Sequence, residues 1–464
     1  MSDGRTSRVA PKTSRRGFFR RSSLWVMGGS LGLARAVRAW GSEPLRLGLV
    51  GCGRRGTTDA LHALNTTADG RLRPNGPVLL VAMADPFADQ VQKCYRALKS
   101  RHPGSVDVPR ERQFVALDGY QQLLQCDLDL VILAAPPAFR PVHFEAAARA
   151  GKHVFLEKPL ATDAIGVRRV LEANWQAMAQ GLAVAVGLYR RHDRRYRETV
   201  RRLQAGAIGS IPLLRAYWNA RSLPASPTPT SHSALARQLR DWRHFGWLSG
   251  EHIVEQHVHN LDVINWLKQD YPVECNGMGS SMLGDGDEPG GRAEQRFVEY
   301  VYADGSRLFS QCRAMAHCWN SVSEHAHGTR GSANISGGKI YDRAGRMVWN
   351  YGNGEGGGER QQFTDLFAAL RRGEPLNEAD YGAKSTLTAI MGRAATCSGQ
   401  IVTWEEAYRA SERLADVDAL RSLDEPPPAC PRTPPLREPH LVECVHRNCG
   451  VVSKQNDQFQ RRSI

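Results

Sequence analysis

LRLGLVGCGRRG, residues 45 to 56, is the stretch that decides the fold. A short apolar run ends at Val50, a glycine-rich turn follows, and a helical pattern starts near Thr57. In this order the first glycine permits a sharp turn, the second lets the backbone approach a pyrophosphate, and the third lets helix and strand pack closely. The phosphates would lie on free N–H groups at the helix start. The stretch therefore predicts a dinucleotide site that uses Gly51, Gly53, Arg54 and Gly56.

Strand and helix patterns alternate from this turn to about residue 190. Buried-strand patterns occur at Val78–Ala84, Leu128–Ala135 and His153–Leu160, with helical patterns between them. Such alternation is typical of an α/β fold with a doubly wound parallel sheet, in which ligands bind beyond the carboxyl ends of the strands. We predict a Rossmann domain over residues 45–190.

Polar or turn-forming residues follow several of these strands, at Asp85, Pro136 and Glu157-Lys158-Pro159. An acidic side chain after the second strand can accept both ribose hydroxyls of an adenosine and repels a 2′-phosphate, so Asp85 favours NAD. Because Arg54 and Arg55 could contact a phosphate, the use of NADP stays an alternative. Lys158 would place an ammonium where a nicotinamide ring lies. The alternative interpretation of Asp85 is a turn aspartate, and that of Lys158 is a surface lysine. Pro136, Glu157 and Lys158 complete the predicted cofactor-binding residues.

The pattern changes after residue 190. Several strand-like runs, among them Arg296–Tyr302 and Arg307–Arg313, are joined by turns with few helices between them. Runs of this kind indicate an antiparallel sheet. We predict a C-terminal α+β domain over residues 191–405 with a largely antiparallel, open sheet, which covers the substrate and supports oligomerisation.

Residues 251 to 266 combine an apolar helical pattern with several titratable side chains. Glu255, His259 and Asp262 stand at i, i+4 and i+7, so one helix face would carry all three. A carboxylate that orients an imidazole can prepare it to take a hydroxyl proton. A metal site is the alternative for this cluster, although no metal is predicted, and a structural role is the alternative for His252 and His257.

The two ends of the chain contribute most of its net positive charge. The net charge is +14, of which residues 1–40 contribute +8 and residues 426–464 contribute +3. The basic character therefore does not indicate a nucleic-acid partner. Residues 424–464 are Pro-rich and are expected to be disordered; the spacing around Cys444 and Cys449 fits no standard zinc module.

Residues 1–40 resemble a twin-arginine signal peptide. Arg15-Arg16 precede Phe18-Phe19, an apolar run and small-residue cleavage sites near residues 36 and 39. This order predicts export by the twin-arginine translocase to a periplasmic or other extracytoplasmic location. A disordered basic arm is the alternative.

Residues 45–405 resemble the family of glucose–fructose oxidoreductase, inositol dehydrogenase and MocA. The resemblance is carried by GLVGCGRRG, Asp85, LVILAAPP, Glu157-Lys158-Pro159 and His259-Asn260-Leu261-Asp262. It implies that Lys158 is the catalytic lysine and His259 the general base. Glu255 stands where the family usually has an aspartate.

The resemblance further implies hydride transfer between NAD and a hydroxyl or carbonyl carbon of a sugar or cyclitol, in a dimer or tetramer built on the open sheet face. Some relatives with this fold are glycosidases that oxidise the sugar transiently on retained NAD. A nucleotide-bound sensor without turnover is the third alternative.

Overall fold

The computed structural model describes residues 43–65, 76–221, 232–282, 293–352, 354 and 356–428. The predicted signal peptide at residues 1–40 lies outside these ranges. Of the predicted tail at residues 424–464, only the part up to residue 428 lies within them.

The first sheet is parallel and contains six strands in the described part of the chain. They are β1 (Leu45–Val50), β2 (Val78–Ala84), β3 (Gln113–Phe114), β4 (Leu130–Leu133), β5 (His153–Leu156) and β6 (Val184–Val186). Their order is β3-β2-β1-β4-β5-β6, and Leu47 of β1 pairs with Leu80 on one side and Leu130 on the other. Apolar side chains fill both faces of β1, β2 and β4, as expected of a parallel sheet covered on two sides.

Five helices lie between these strands along the chain in the described ranges. They are α1 (Arg54–Asn65), α2 (Ala88–Arg101), α3 (Gly119–Gln125), α4 (Arg140–Arg149) and α5 (Ala164–Ala179). The carboxylate of Asp163 caps α5 by accepting a hydrogen bond of 2.8 Å from the Gly166 N–H. The strand order and the helices together form the predicted doubly wound sheet.

The second sheet contains nine strands among the described residues. They are β7 (Leu213–Ala220), β8 (Pro272–Met282), β9 (Ala293–Tyr302), β10 (Arg307–Ala314), β11 (Ser321–Gly328), β12 (Gly331–Asn334), β13 (Lys339–Asp342), β14 (Met347–Asn350) and β15 (Val402–Thr403). Their order is β14-β13-β12-β11-β7-β10-β9-β8-β15, and β7 and β10 form a parallel pair within this otherwise antiparallel sheet. The predicted largely antiparallel sheet is confirmed.

Five helices lie between β6 and β8 along the chain in the described ranges. They are α6 (Arg194–Gln204), α7 (Ala234–Arg240), α8 (Gly246–Ser249), α9 (Glu251–Glu255) and α10 (Val258–Lys268), and 3₁₀ turns lie at Tyr189–Arg191 and Trp242–His244. The prediction of one continuous helix through Glu255 and His259 is wrong, because α9 ends at Glu255 and α10 begins only at Val258. Nε2 of His257 lies 2.7 Å from the Ser310 hydroxyl on β10, and this buried contact draws the junction toward the second sheet.

The remaining helices are α11 (Gly358–Arg372), α12 (Ala379–Ser398) and α13 (Trp404–Arg409). Although α11 follows β14 of the second sheet along the chain, it packs on the first sheet, where the Phe363 ring stacks on Phe155 with 4.3 Å between centroids. Among the residues that the structure describes, none of the helices combines the length and the apolar character needed to cross a membrane.

Candidate active site

The turn after β1 has the close contacts that its glycines predict. A Cβ on Gly51, whose φ is +94°, would lie 2.6 Å from the Ala135 nitrogen, and a Cβ on Gly56 would lie 1.9 Å from the Gly51 carbonyl oxygen. A Cβ on Gly53, in contrast, would meet no atom within 4 Å. The first N–H groups of α1 have no partner within the helix. Open space beside Gly53 and a helix start together fit a dinucleotide phosphate.

A cavity opens beside this turn at the carboxyl ends of β1, β2 and β4. Five of the predicted cofactor residues line it: Gly51, Gly53, Arg54, Asp85 and Pro136. Gly56 packs against the turn from behind. Glu157 and Lys158, which are also predicted to bind the cofactor, are not among the residues that line this cavity.

Asp85 is tied to the glycine turn by its carboxylate. One oxygen accepts a hydrogen bond of 2.8 Å from the Cys52 N–H, and the other accepts one of 2.9 Å from the Phe87 N–H. Burial raises the pKa of Asp85 to about 6, although these two hydrogen bonds lower it. Each carboxylate oxygen keeps further acceptor capacity, so the side chain can still take ribose hydroxyls.

Arg55 does not face the cavity but holds a group of carboxylates behind it. Its guanidinium lies 2.8 Å from Glu157, 3.0 Å from Asp59 and 3.2 Å from Glu359. Asp59 and Glu157 are fully buried, and burial, with the charge of Glu157, raises the pKa of Asp59 well above its usual value. Glu157 therefore joins β5 to α1, and Arg54 is the arginine of this turn that lines the cavity.

Replacing Arg55 by Ala should destabilise the protein by about 3 kcal/mol, because it leaves buried carboxylates without their cation. Urea unfolding at pH 7 measures this change. Arg54→Ala is the matched control, since Arg54 is exposed and should change the free energy of unfolding by less than about 0.5 kcal/mol. Equal effects of the two substitutions would contradict the structural role of Arg55.

Lys158 follows β5, and its peptide bond to Pro159 is cis. Its ammonium donates to the carbonyl oxygen of Glu255 and lies 3.4 Å from the Glu255 carboxylate. Burial lowers the pKa of Lys158, and the charges of Glu255 and Glu157 oppose this shift. Burial alone would raise the pKa of Glu255, but the nearby cations, with Lys158 first, lower it overall. The structure thus joins Lys158 and Glu255 as a buried ion pair.

His259 lies near this pair at the start of α10. Its ring packs edge-on against Tyr189, with 5.1 Å between centroids, and parallel to Trp218 at 5.8 Å. Its Nδ1 atom is buried and has no hydrogen-bond partner in the described ranges. Burial, with the charge of Lys158, lowers the pKa of His259 well below 6.5, so the imidazole is neutral at pH 7. The neutral ring can accept a proton from a bound group.

The predicted orientation of His259 by Glu255 is not what the structure shows. Because the helix is interrupted between α9 and α10, Glu255 and His259 do not share one helix face, and the Glu255 carboxylate instead pairs with Lys158. Asp262 is likewise engaged elsewhere, where it accepts hydrogen bonds of 2.8 Å from Arg191 and from the Ser385 hydroxyl. In the part of the chain that the structure describes, no three His, Cys, Asp or Glu side chains come together as a metal site requires.

A buried network behind His259 was not predicted from the sequence. Glu324 on β11 forms an ion pair with Arg190, and it accepts hydrogen bonds of 2.6 Å from Asn260 and 3.1 Å from the Tyr196 hydroxyl. The Arg190 guanidinium also lies 5.5 Å from the Trp218 ring centroid. The network thus fixes both the helix residue next to His259 and the ring stacked on it. In the sequence, the network is indicated only by Glu324, the one acidic residue of β11, at a position that alternation turns inward.

Comparisons with known proteins agree with the Rossmann fold of the first sheet. Residues 45–202 match the model of the Gfo/Idh/MocA proteins, described as an oxidoreductase family with an NAD-binding Rossmann fold. Inositol 2-dehydrogenase 3 of Saccharopolyspora erythraea is 30% identical over 229 residues, which are 49% of this chain and 54% of that relative. An inositol 2-dehydrogenase of Cereibacter sphaeroides is 29% identical over 231 residues, again 49% and 54% of the two chains. The chain spans about half the length of these curated relatives.

Solved structures resemble the chain over a larger part. Levoglucosan dehydrogenase in complex with NADH and levoglucosan has a TM-score of 0.63 at 17% identity, covering 78% of this chain and 99% of that one. Myo-inositol 2-dehydrogenase from Lactobacillus plantarum has a TM-score of 0.57 at 21% identity, with 78% and 99% covered. These likenesses confirm the predicted fold class.

Proposed function

We propose that this chain, whose residues 45–202 match the model of the Gfo/Idh/MocA oxidoreductases, moves hydride between NAD and a carbon bearing a hydroxyl group in a sugar or cyclitol. The observation that carries the proposal is the buried imidazole of His259, whose Nδ1 has no hydrogen-bond partner among the described residues and whose pKa is lowered by burial and by the charge of the Lys158 ammonium. Both residues are predicted catalytic residues, and Lys158 follows a strand of the nucleotide-binding sheet. The similarity to inositol dehydrogenases supports the substrate class.

When bound, NAD supplies the hydride acceptor for the oxidation. The Lys158 ammonium has three N–H donors, of which Glu255 engages two. The third can donate to the substrate hydroxyl and stabilise the negative charge that develops as its proton leaves. His259 accepts that proton at its neutral ring, and in the reverse direction returns it. Glu255 holds the ammonium in place and keeps it charged against the effect of burial.

The proposal is tested by purifying the mature protein without added nucleotide, denaturing it and identifying any released cofactor by mass. The same preparation is then screened against sugars and cyclitols by absorbance at 340 nm. We expect NAD(H) and a substrate-dependent change in absorbance. Cleavage of glycosides with no net absorbance change would instead favour the glycosidase alternative. A protein that neither retains nor binds NAD would contradict the proposal.

The choice of NAD over NADP should depend on pH through Asp85. Its pKa of about 6 means that the side chain is charged at pH 8 and neutral at pH 5. The neutral form no longer repels a 2′-phosphate, so the ratio of the NADP and NAD dissociation constants should fall by about fivefold, which corresponds to roughly 1 kcal/mol between charges 4 Å apart in water.

Titration calorimetry at both pH values measures this ratio. Asp85→Asn is the control, because it keeps the shape of the side chain and removes its titration. NADP has a titrating phosphate of its own, so the relevant quantity is the difference between the two proteins. An equal change of the ratio in both would exclude Asp85 as the residue that discriminates the cofactors.

We further propose that the chain is exported by the twin-arginine translocase. The support is the order of Arg15-Arg16, the two phenylalanines, the apolar run and the small-residue cleavage sites. Cell fractionation of the full chain tests it, with Arg15→Lys/Arg16→Lys as the comparison. The natural chain should be recovered outside the cytoplasm and shortened by about 36 to 39 residues, and the double variant should stay inside at full length.

A homo-oligomer, a dimer or tetramer, is proposed on the open face of the second sheet. Phe297 and Phe309 stack there on neighbouring strands with 6.0 Å between centroids, and Met278 on β8 is 72% exposed. A contiguous apolar area of this kind is a common site of protein association. Light scattering of the purified protein should give two or four times the monomer mass, and Phe309→Glu should reduce it. A monomer at micromolar concentration would contradict the proposal.

A further inference from the structure

Two successive residues between α8 and α9 have left-handed backbone conformations. Gly250 has a φ of +75° and Glu251 has a φ of +73°. Glycine adopts this conformation readily, whereas a residue with a Cβ is destabilised in it, so Glu251 requires contacts that hold it there. These two residues, the α8–α9 turn, precede a helix of only five residues that ends at Glu255, the partner of Lys158.

The Glu251 carboxylate is held by a buried arginine of the second sheet. It forms an ion pair with Arg296 on β9. The Arg296 guanidinium also lies 3.1 Å from the Glu294 carboxylate and donates to the Thr396 hydroxyl on α12. Burial alone would lower the pKa of Arg296, but the charges of Glu251 and Glu294 raise it overall, so the guanidinium stays charged.

Arg296 is also connected to the start of α9 through Glu294. One Glu294 oxygen accepts a hydrogen bond of 3.1 Å from the Arg296 guanidinium, and the other accepts one of 2.8 Å from the His252 N–H. Hydrogen bonds to a charged acceptor are stronger than those between neutral groups. Both carboxylates that Arg296 engages therefore fix the first residues of α9, Glu251 through its side chain and His252 through its backbone.

Two further contacts hold the backbone of the α8–α9 turn. The Ser249 hydroxyl accepts a hydrogen bond of 3.0 Å from the Glu251 N–H, and Arg393 on α12 donates one of 3.1 Å to the Gly250 carbonyl oxygen. These contacts do not involve the side chain of Glu251. The ion pair with Arg296 is therefore the contact that a substitution of Glu251 removes.

The position of α9 decides where Glu255 meets Lys158. The Lys158 ammonium contacts both the carbonyl oxygen and the carboxylate of Glu255. A carbonyl oxygen follows the backbone, so no change of the Glu255 rotamer can compensate for a displaced helix. A shift of the α8–α9 turn would therefore move both partners of the ammonium together.

We propose that Arg296 is a positioning residue of the active site, which holds Glu251 in its left-handed conformation so that α9 presents Glu255 to Lys158. The inference rests on the proposed function, in which the Lys158 ammonium stabilises the charge that develops on the substrate. Arg296 does not line the cofactor cavity, so it acts through Glu251 and Glu294, and the dissociation constant of NAD should not depend on it.

Two substitutions of Glu251 in the full chain test this role. Glu251→Ala and Glu251→Gly both remove the carboxylate, but only alanine disfavours the left-handed backbone. Glu251→Ala should lower kcat by roughly 5- to 30-fold, the shift in population expected for one left-handed alanine, and Glu251→Gly should stay within about threefold of the natural chain. The measurement is the steady-state rate at 340 nm on the substrate that the screen identifies.

The alkaline limb of the pH–rate profile is a readout that a loss of stability alone would not move. The groups that act on Lys158 or face it are two cations, two carboxylates and one imidazole: Arg55, Arg140, Glu157, Glu255 and His259. Burial lowers the pKa of Lys158, and among these groups the charge of Glu255 opposes this shift most. When Glu255 is displaced, the ammonium loses its proton at lower pH, so the limb of Glu251→Ala should move by about one pH unit toward acid. The limb of Glu251→Gly should not move.

Gln269 provides the matched control, because it is a second non-glycine residue with a positive φ, +53°, and it is exposed at the end of α10. Gln269→Ala and Gln269→Gly should leave kcat and the alkaline limb unchanged. Arg296→Lys tests the arginine itself. It keeps the charge but loses the planar fork, so it should lower kcat by about three- to tenfold, with no further loss when combined with Glu251→Ala.

Urea unfolding establishes that each variant is folded, and Arg296→Lys supplies the test if Glu251→Ala is not. If the natural chain neither binds NAD nor turns over a sugar or cyclitol, the proposed function itself is wrong. If it does both, equal rates and equal alkaline limbs of Glu251→Ala and Glu251→Gly would exclude the positioning role while the proposed function stands. Turnover of Arg296→Lys equal to that of the natural chain would exclude it as well.

Discussion

Replacing His259 by Asn is expected to lower kcat by about 10²- to 10⁴-fold, the usual contribution of a positioned general base. The imidazole is neutral and buried, and its Nδ1 has no hydrogen-bond partner among the described residues, so it can serve as the proton acceptor of the proposed reaction. The measurement is the steady-state rate at 340 nm on the sugar or cyclitol that the screen identifies. The dissociation constant of NAD should change by less than about twofold, because His259 does not line the cofactor cavity.

His252→Asn is the control for this substitution. His252 is a histidine of α9 whose Nε2 lies 3.4 Å from the Trp218 carbonyl oxygen, and it is assigned no chemical step. A second arm replaces Lys158 by Met together with Glu255→Gln, which avoids leaving a buried carboxylate unpaired. Because the two groups act on one proton, combining His259→Asn with this pair should cost less than the product of the separate losses. Turnover of His259→Asn close to that of the natural chain would exclude His259 as the base.

The cofactor side of the site could be predicted from the sequence for a physical reason. The glycine turn and Asp85 each depend on a few neighbouring residues, and a parallel sheet brings the carboxyl ends of its strands to one edge. The structure accordingly places Gly51, Gly53, Arg54, Asp85 and Pro136 around one cavity. Their roles in binding remain predictions.

The catalytic side was harder to predict, because helix periodicity assumes an uninterrupted helix. The contact of His257 with Ser310 depends on a strand 53 residues further along the chain, and no local pattern shows it. Lys158 also competes for Glu255, and that contact joins residues 97 positions apart. For the same reason, no local pattern predicts the Glu324 network or the contribution of residues 239–243 to the lining of the cavity. Each is created by tertiary contacts between short elements of weak pattern.

Gly53→Ala is expected to leave the fold intact and to weaken NAD binding by roughly 10- to 100-fold. In the protein without cofactor, the added Cβ would meet no atom within 4 Å, so the free energy of unfolding should stay within about 0.5 kcal/mol. The methyl group would occupy the space in which the backbone has to approach the pyrophosphate, at the cost of at least one charge-assisted hydrogen bond. Titration calorimetry with NAD and urea unfolding measure the two quantities.

Gly56→Ala is the comparison for this prediction. It adds the same methyl group to the same turn, but here the methyl group would collide with the protein itself. Its Cβ would lie 1.9 Å from the Gly51 carbonyl oxygen, a backbone atom that cannot move without opening the turn. This variant should lose about 1–3 kcal/mol or more of stability, and its weaker NAD binding would follow from a distorted turn. If Gly53→Ala binds NAD as tightly as the natural chain, the pyrophosphate does not approach at Gly53. If both variants are destabilised alike, Gly53 is required for the fold of the turn, and its open surroundings have no bearing on the ligand.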